Sequence, residues 1–447
     1  MRVRGFCRDS IFIALLFSLQ SCGSGNTPKE TEPFTRQGAD YQVLNGSLDN
    51  IPSVSKDGSK IVFITTRDGD ERVYKADIKN DTNAKIEATL LMKTGVLSGS
   101  TRLLENQAWI SPSGVSVFFT VKELSTSTNQ YSLYQVDYNA GTIISKIDST
   151  TGFFSNLVFS EDSLVLAYTK TEGDESKTFV RKVSPSSDES SKSITGTSLF
   201  FQSSTSPYKL IIAQVSTQTK NTGLFNVDVN SSIFAQASSL SASSWGLSDA
   251  KISLDFSDVG RSSSNAYFLN QDMSSKQYVA INGTAISDPK TAVTDENYKN
   301  FNLLENNILT VNLSTETKTD RTSISQNARG YKILSLSLST SADMGVALFS
   351  ERHQCGSKNS ILTGKFMGLL TLGASTELTP VLPTSKFSIS NNLCSSDASV
   401  TLDYNVQDAV ISGASTSSSY RIFYTSSLEN QLRLYVLDSP NTIRQVK

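Results

Sequence analysis

The sequence predicts an all-β fold, a single β-propeller of seven or eight four-stranded blades, on three observations. A unit made of a serine, a turn of Asp, Ser or Gly type and an apolar run with an aromatic near its end recurs along the chain. Alternating runs that close on Asp follow it. Helical periodicity is scarce throughout. The unit is plainest in VSKDGSKIVFIT from Val54 and returns as ISPSGVSVFFT from Ile110, FSEDSLVLAYT from Phe159 and SADMGVALFS from Ser341. The first three starts are 56 and 49 residues apart, close to the length of a four-stranded propeller blade, roughly 40 to 50 residues. Its second half recurs as RVYKAD at Arg72, SLYQVD at Ser132, GLFNVD at Gly223 and RLYVLD at Arg433. Each unit is apolar on both faces, so it cannot bury them alone, whereas radial stacking of neighbours does. A pair of β-sandwich domains is the other arrangement compatible with short, evenly spaced strands.

Taken from the N-terminus, the chain begins with Arg2, Arg4 and Arg8 ahead of an apolar run from Ile11 to Leu19. That run is too short to span a bilayer and has the form of a secretory signal peptide, residues 1–21. Residues 22–40 are polar, with two prolines and no apolar period, and read as a flexible tether. The propeller is expected over residues 41–447. In its first unit, Ile51 to Asp77, Asp57-Gly58 and Asp68-Gly69 suit tight turns between three strands of one blade. Weaker copies are Leu199 to Val215, Ile252 to Asn270 and Phe301 to Leu313; with the C-terminal Tyr420 to Asp438 they bring the count to eight. Either Tyr41 to Leu44 or Thr442 to Val446 is available as the last outer strand.

Two resemblances follow from these residues. LQSC, Leu19 to Cys22, resembles the lipobox of bacterial lipoproteins, which implies that Cys22 becomes the first mature residue and carries the lipid. Gly23 after it implies sorting to the outer membrane. The pattern P-x-x-S-x-D-G-x-x-I-x-F in Pro52 to Phe63, followed by Y-x-x-D in Tyr74 to Asp77, resembles the repeat of the TolB propeller and its PD40-type relatives. Those propellers act as periplasmic binding platforms, but their separate N-terminal partner domain has no room between Cys22 and Tyr41.

Chemistry is harder to find. The balance of 40 basic against 42 acidic residues, without a basic block, lacks the electrostatic footprint of nucleic-acid binding. A single histidine, His353, limits histidine catalysis and histidine metal sites to that position, and no metal or other cofactor is expected. Cys355 and Cys394 read as a disulfide in an oxidising compartment; two free thiols, or a Cys–His nucleophile in ERHQC, are the alternatives. No G-x-S-x-G elbow occurs, GLSDA at Gly246 lacking its second glycine. RDGDER, Arg67 to Arg72, reads as a hairpin turn rather than a calcium loop. Trp109 and Trp245 suit buried strand positions or a ligand site. The expectation is therefore a monomeric, lipid-anchored envelope protein with a binding or scaffolding role toward other envelope proteins. A carbohydrate-active propeller using paired carboxylates is the alternative.

Overall fold

A computed structural model describes residues 35–37, 49–67, 71–92, 101–103, 108–124, 129–184, 192–203, 206–215, 222–230, 240, 242–245, 259–261, 264–270, 277–280, 285–286, 301–304, 307–321, 331–340, 344–355, 359–362, 366–372, 376–380, 388–389, 400–401, 406–428, 431–439 and 442–447. The body formed by residues 34–447 is all-β, with no helix among the described residues.

Its unit is the antiparallel four-stranded meander that the opening repeat predicts. Blade I runs Ser53–Val54, Lys60–Thr65, Arg72–Asp77 and Thr89–Leu90, each strand paired with the next. KIVFIT shows why such a strand cannot stand alone. Ile61 and Phe63 point to one side, into a cluster with Phe423, Leu434 and Val436 near the C-terminus, while Val62 and Ile64 point to the other, against Ile110, Val117 and Phe119. The period of two thus feeds two interfaces at once, and similar apolar clusters fill the successive junctions around the ring.

Blades II (residues 101–150), III (153–195), IV (197–244) and V (259–321) follow, and blade VI (406–445) closes the ring. The first strand of each blade is innermost. Phe153–Phe159 lies beside Thr197–Phe201, and Tyr331–Leu338 beside Val406–Ile411. The described residues hold six discrete blades and not the seven or eight expected. Two features account for the difference. Phe301–Leu304 and Asn307–Asn312, counted together as a separate copy, belong to different sheets: the second pairs with Asn265–Asn270 and is the third strand of blade V. The first pairs with Gln277–Ala280 and touches the long strand Met344–Cys355 at Asn302 and His353. The copy at Ser341 consequently sits in an eight-stranded composite sheet, where the meander Tyr331–Leu338, Met344–Cys355, Phe366–Leu372, Thr376–Pro380 is fused to the excursion from blade V.

Closure is also settled. Blade VI takes its outer strand from Thr442–Gln445, and Thr35–Gln37, within the stretch expected to be a tether, adds a parallel fifth strand beyond it. Backbone and side chains share the junction between blades VI and I: Asp49 N–H donates to Leu432 O at 3.0 Å, Ala88 N–H to Lys447 O at 2.6 Å and Lys447 N–H to Ile86 O at 3.0 Å. At one end Asp49, fully buried, accepts hydrogen bonds from the Thr65 hydroxyl at 2.6 Å, Arg67 Nε at 2.9 Å and Leu434 N–H at 3.0 Å. At the other end Asp438 binds Arg421 Nε at 2.6 Å and Arg444 Nε at 2.8 Å, and those arginines donate to the carbonyls of Gly58 at 3.0 Å and Lys79 at 3.2 Å in blade I.

Candidate ligand site at the channel mouth

The turn that joins the first two strands of a blade is built in the same way around the ring. In blade I, Ser55 Oγ donates to Asp57 at 2.6 Å and accepts the Lys60 N–H at 3.0 Å, while Asp57 accepts the Ser59 N–H at 3.0 Å and its hydroxyl at 2.7 Å. Gly58 takes φ of 69° to complete the turn. Blade III repeats the arrangement: Ser160 Oγ donates to Asp162 at 2.7 Å and accepts the Val165 N–H at 2.9 Å. Burial opposes ionisation of Asp57 and Asp162, but the hydrogen bonds outweigh it and hold both carboxyls below their ordinary value. Tyr208 of blade IV donates to Asp162 at 2.6 Å, and burial, reinforced by that carboxylate, pushes the phenol up to about 12. These acids are turn chemistry. The described Asp and Glu side chains at this mouth are engaged by hydroxyls, amides and a lysine, not paired with one another.

The turns are stitched together at one mouth of the central channel. Lys56 N–H donates to Pro112 O at 3.0 Å, Ser113 N–H to Ser163 Oγ at 2.9 Å, and Ser339 Oγ to Gly413 O at 2.9 Å. The residue after each turn serine faces its counterparts in the other blades. Lys56 of blade I reaches past blade II to form an ion pair with Glu161 of blade III, the two side chains being 44% and 25% exposed. Side chains from blades that are not neighbours can meet only close to the axis, so this pair marks the mouth.

Arg261 ends the innermost strand of blade V and completes the group. Its Nη1 donates to Phe201 O at 2.9 Å. Burial lowers its pKa, and the negative charge of Glu161 partly restores it. Among the described residues no carboxylate lies within ion-pairing distance of Arg261. Its Nε is buried without a hydrogen-bond partner, and so is Oε1 of Gln202, the residue after the carbonyl that Arg261 holds. Val115 and Leu164, which follow the turns of blades II and III, are 47% and 61% exposed. The mouth thus offers an ion pair, Lys56 with Glu161, and a second cation, Arg261, that feels the charge of Glu161 without pairing with it. It can hold an anionic ligand. Among the described residues no group of three or more His, Cys, Asp or Glu is placed to hold a metal ion.

The residues singled out in the sequence are mostly elsewhere. Trp109 and Trp245 are core, 7% and 0% exposed, Trp245 packing edge-on against Phe200 and Phe268. His353 and Cys355 end the strand Met344–Cys355, paired with Ile361 and Asn359. Cys22, Cys394 and the side chain of Cys355 lie outside the described residues, and the disulfide expected between Cys355 and Cys394 is without support. Asp68, Gly69, Asp70 and the GLSDA segment are likewise outside them. Lys56 and Glu161 carried a signal in the sequence: the position after the turn serine changes charge from copy to copy (Lys56, Pro112, Glu161, Gly413), whereas no such pattern marked Arg261, which follows Gly260 at the end of a strand.

No family model matches the chain and no curated protein does, so the TolB and lipoprotein resemblances have no support beyond the propeller itself. Solved structures do match. One, from a study of two prolyl endopeptidases and the role of inter-domain dynamics in their catalysis and specificity, is 11% identical with a TM-score of 0.52, covering 90% of this chain and 48% of that one. Prolyl oligopeptidase B from Galerina marginata is 12% identical with a TM-score of 0.50, covering 90% and 51%. The chain therefore spans about half the length of these peptidases. These likenesses correct the expected function: the two matched structures just named are peptidases, and nothing in the comparisons supports an envelope scaffold or a carbohydrate-active enzyme. At such identity the likeness shows the fold, and the chain is a β-propeller of the architecture found in prolyl oligopeptidase structures.

Proposed function

We propose that the protein is a peptide-binding propeller that receives oligopeptides at its channel mouth on behalf of a peptidase catalytic unit. The observation that carries this reading is the likeness over 90% of the chain to peptidases, of which the chain spans about half. One of those peptidases has been solved bound to a 35mer substrate. The sequence has no G-x-S-x-G elbow and one histidine, so in this reading peptide bonds are cut by a catalytic unit outside these 447 residues. A mouth with hydrogen-bonding turns and fixed charges suits an extended peptide, which offers backbone groups and charged ends together.

The test is fluorescence anisotropy of labelled oligopeptides against the purified chain, with oligosaccharides as controls. Saturable peptide binding, weakened when Lys56 and Glu161 are both changed to Ala, is expected. Binding of oligosaccharides in place of every peptide would overturn the reading. For location, we propose an envelope protein carrying lipid on Cys22, supported by the run from Arg2 to Cys22. A Cys22→Ala variant is expected to move from the membrane to the soluble fraction, and a variant that stays membrane-bound contradicts the anchor.

A further inference from the structure

We propose that Arg261 is a receptor for a peptide carboxylate, so that the channel mouth selects oligopeptides by a free C-terminus or an acidic side chain. The inference rests on the peptide-binding reading and adds the chemistry by which that mouth chooses. Three observations meet at the junction of blades IV and V. Arg261 is partly buried and spends one nitrogen on a neutral carbonyl, Phe201 O at 2.9 Å. A guanidinium has five N–H donors in a planar fork that matches a carboxylate, so one carbonyl leaves most of that capacity unused. The only carboxylate among the described residues whose charge it feels, Glu161, is held in an ion pair by Lys56 from blade I. Finally, Arg261 Nε and Gln202 Oε1, at the same junction, are both buried without partners. Unpaired buried polar atoms are rare in folded proteins, and a pair of them beside an underused cation marks a place that an occupant completes.

The ligand that fits is an anion with a neighbouring N–H. A peptide carboxylate has both: oxygens for the guanidinium and an amide within a few bonds for Gln202 Oε1. Glu161 is then the internal competitor. It supplies the negative charge when no peptide is bound and limits affinity when one is.

Three peptides of one sequence distinguish the source of the carboxylate: a free C-terminus without acidic side chains, its C-terminal amide, and the amide carrying one internal Glu. Binding is measured by anisotropy to the wild type, Arg261→Gln, Arg261→Lys and Glu161→Gln, each checked for a wild-type melting transition. A peptide with a carboxylate is expected to bind the wild type at least about tenfold more tightly than the plain amide, as befits a charge-assisted bidentate bond. Arg261→Gln is expected to abolish that difference without weakening the amide, Arg261→Lys to keep part of it, and Glu161→Gln to enlarge it. Preference for the free C-terminus over internal Glu assigns the terminal carboxylate, and the reverse assigns an acidic side chain. Peptides that bind equally well with and without a carboxylate, or a preference that survives Arg261→Gln, overturn the inference while leaving peptide binding intact. Failure of every peptide to bind overturns both.

Discussion

Asp49 shows how much can depend on one side chain. It is fully buried, yet charged, and it is tolerated because Thr65, Arg67 and the Leu434 backbone satisfy both oxygens. Removing one partner of such a pair leaves the other charge buried and uncompensated, which costs about 3 to 5 kcal/mol. Asp49→Ala is therefore expected to lower the unfolding free energy by about that amount in a denaturant titration. By contrast, the exposed pair of Lys177 with Glu175, at 44% and 58% exposure, is expected to contribute well under 1 kcal/mol. Neither the importance of Asp49 nor its partners could be read from the sequence, because 385 positions separate it from Leu434. Asp57 was legible as a turn residue, since all of its partners lie within two positions.

At the scale of the element, the first turn of each blade is where local sequence and global assembly agree. In blade I Ser55, Asp57 and Gly58 close the hairpin locally, while Lys56 and Gly58 meet blades II and VI. Gly58 serves both purposes: its φ is 69°, and a Cβ there would stand 2.6 Å from Ser412 Oγ across the closing junction. Gly58→Ala is expected to destabilise by more than the ~1 kcal/mol that the positive φ alone would cost, because the Ser412 contact must also give way. Ser55→Ala, which removes one local acceptor, is expected to cost about 1 kcal/mol; equal losses in a thermal-melt comparison would contradict the clash. Strand identity was legible through alternation, as in KIVFIT. Strand partnership was not, as Phe301–Leu304 and Asn307–Asn312 show: two adjacent runs with the same pattern enter different sheets. A period of two says which face is apolar but not which strand lies alongside.

For the whole molecule, the repeat spacing made the ring legible, while its irregular part was hidden by insertion. The excursion from blade V pairs with the composite sheet through Asn302 and His353, joining two neighbouring units by backbone as well as by side chains. The other junctions are filled with apolar side chains in the middle; single backbone hydrogen bonds add to them, as from Lys56 to Pro112, and between blades VI and I a buried carboxylate ties each end. The channel mouth inherits its geometry from this ring, since Lys56, Glu161 and Arg261 come from blades I, III and V. A change that loosens any intervening blade is felt there.

Each of blades I to IV is a contiguous stretch of chain, and blade VI receives only a fifth strand, Thr35–Gln37, from elsewhere. The place where the polypeptide starts is therefore a matter of connectivity and not of architecture. A circular permutant that joins Lys447 to Asp49 through a short flexible linker and opens the chain after Thr151, an exposed residue between blades II and III, is expected to fold with a near-native circular dichroism spectrum and a single melting transition. Opening the chain between Gln277–Ala280 and Phe301–Leu304 would instead cut the excursion that welds two units together, and that permutant is expected to lose cooperativity. Among the described residues one sheet spans two units, so the chain is expected to tolerate new ends at a junction such as that between blades II and III better than there.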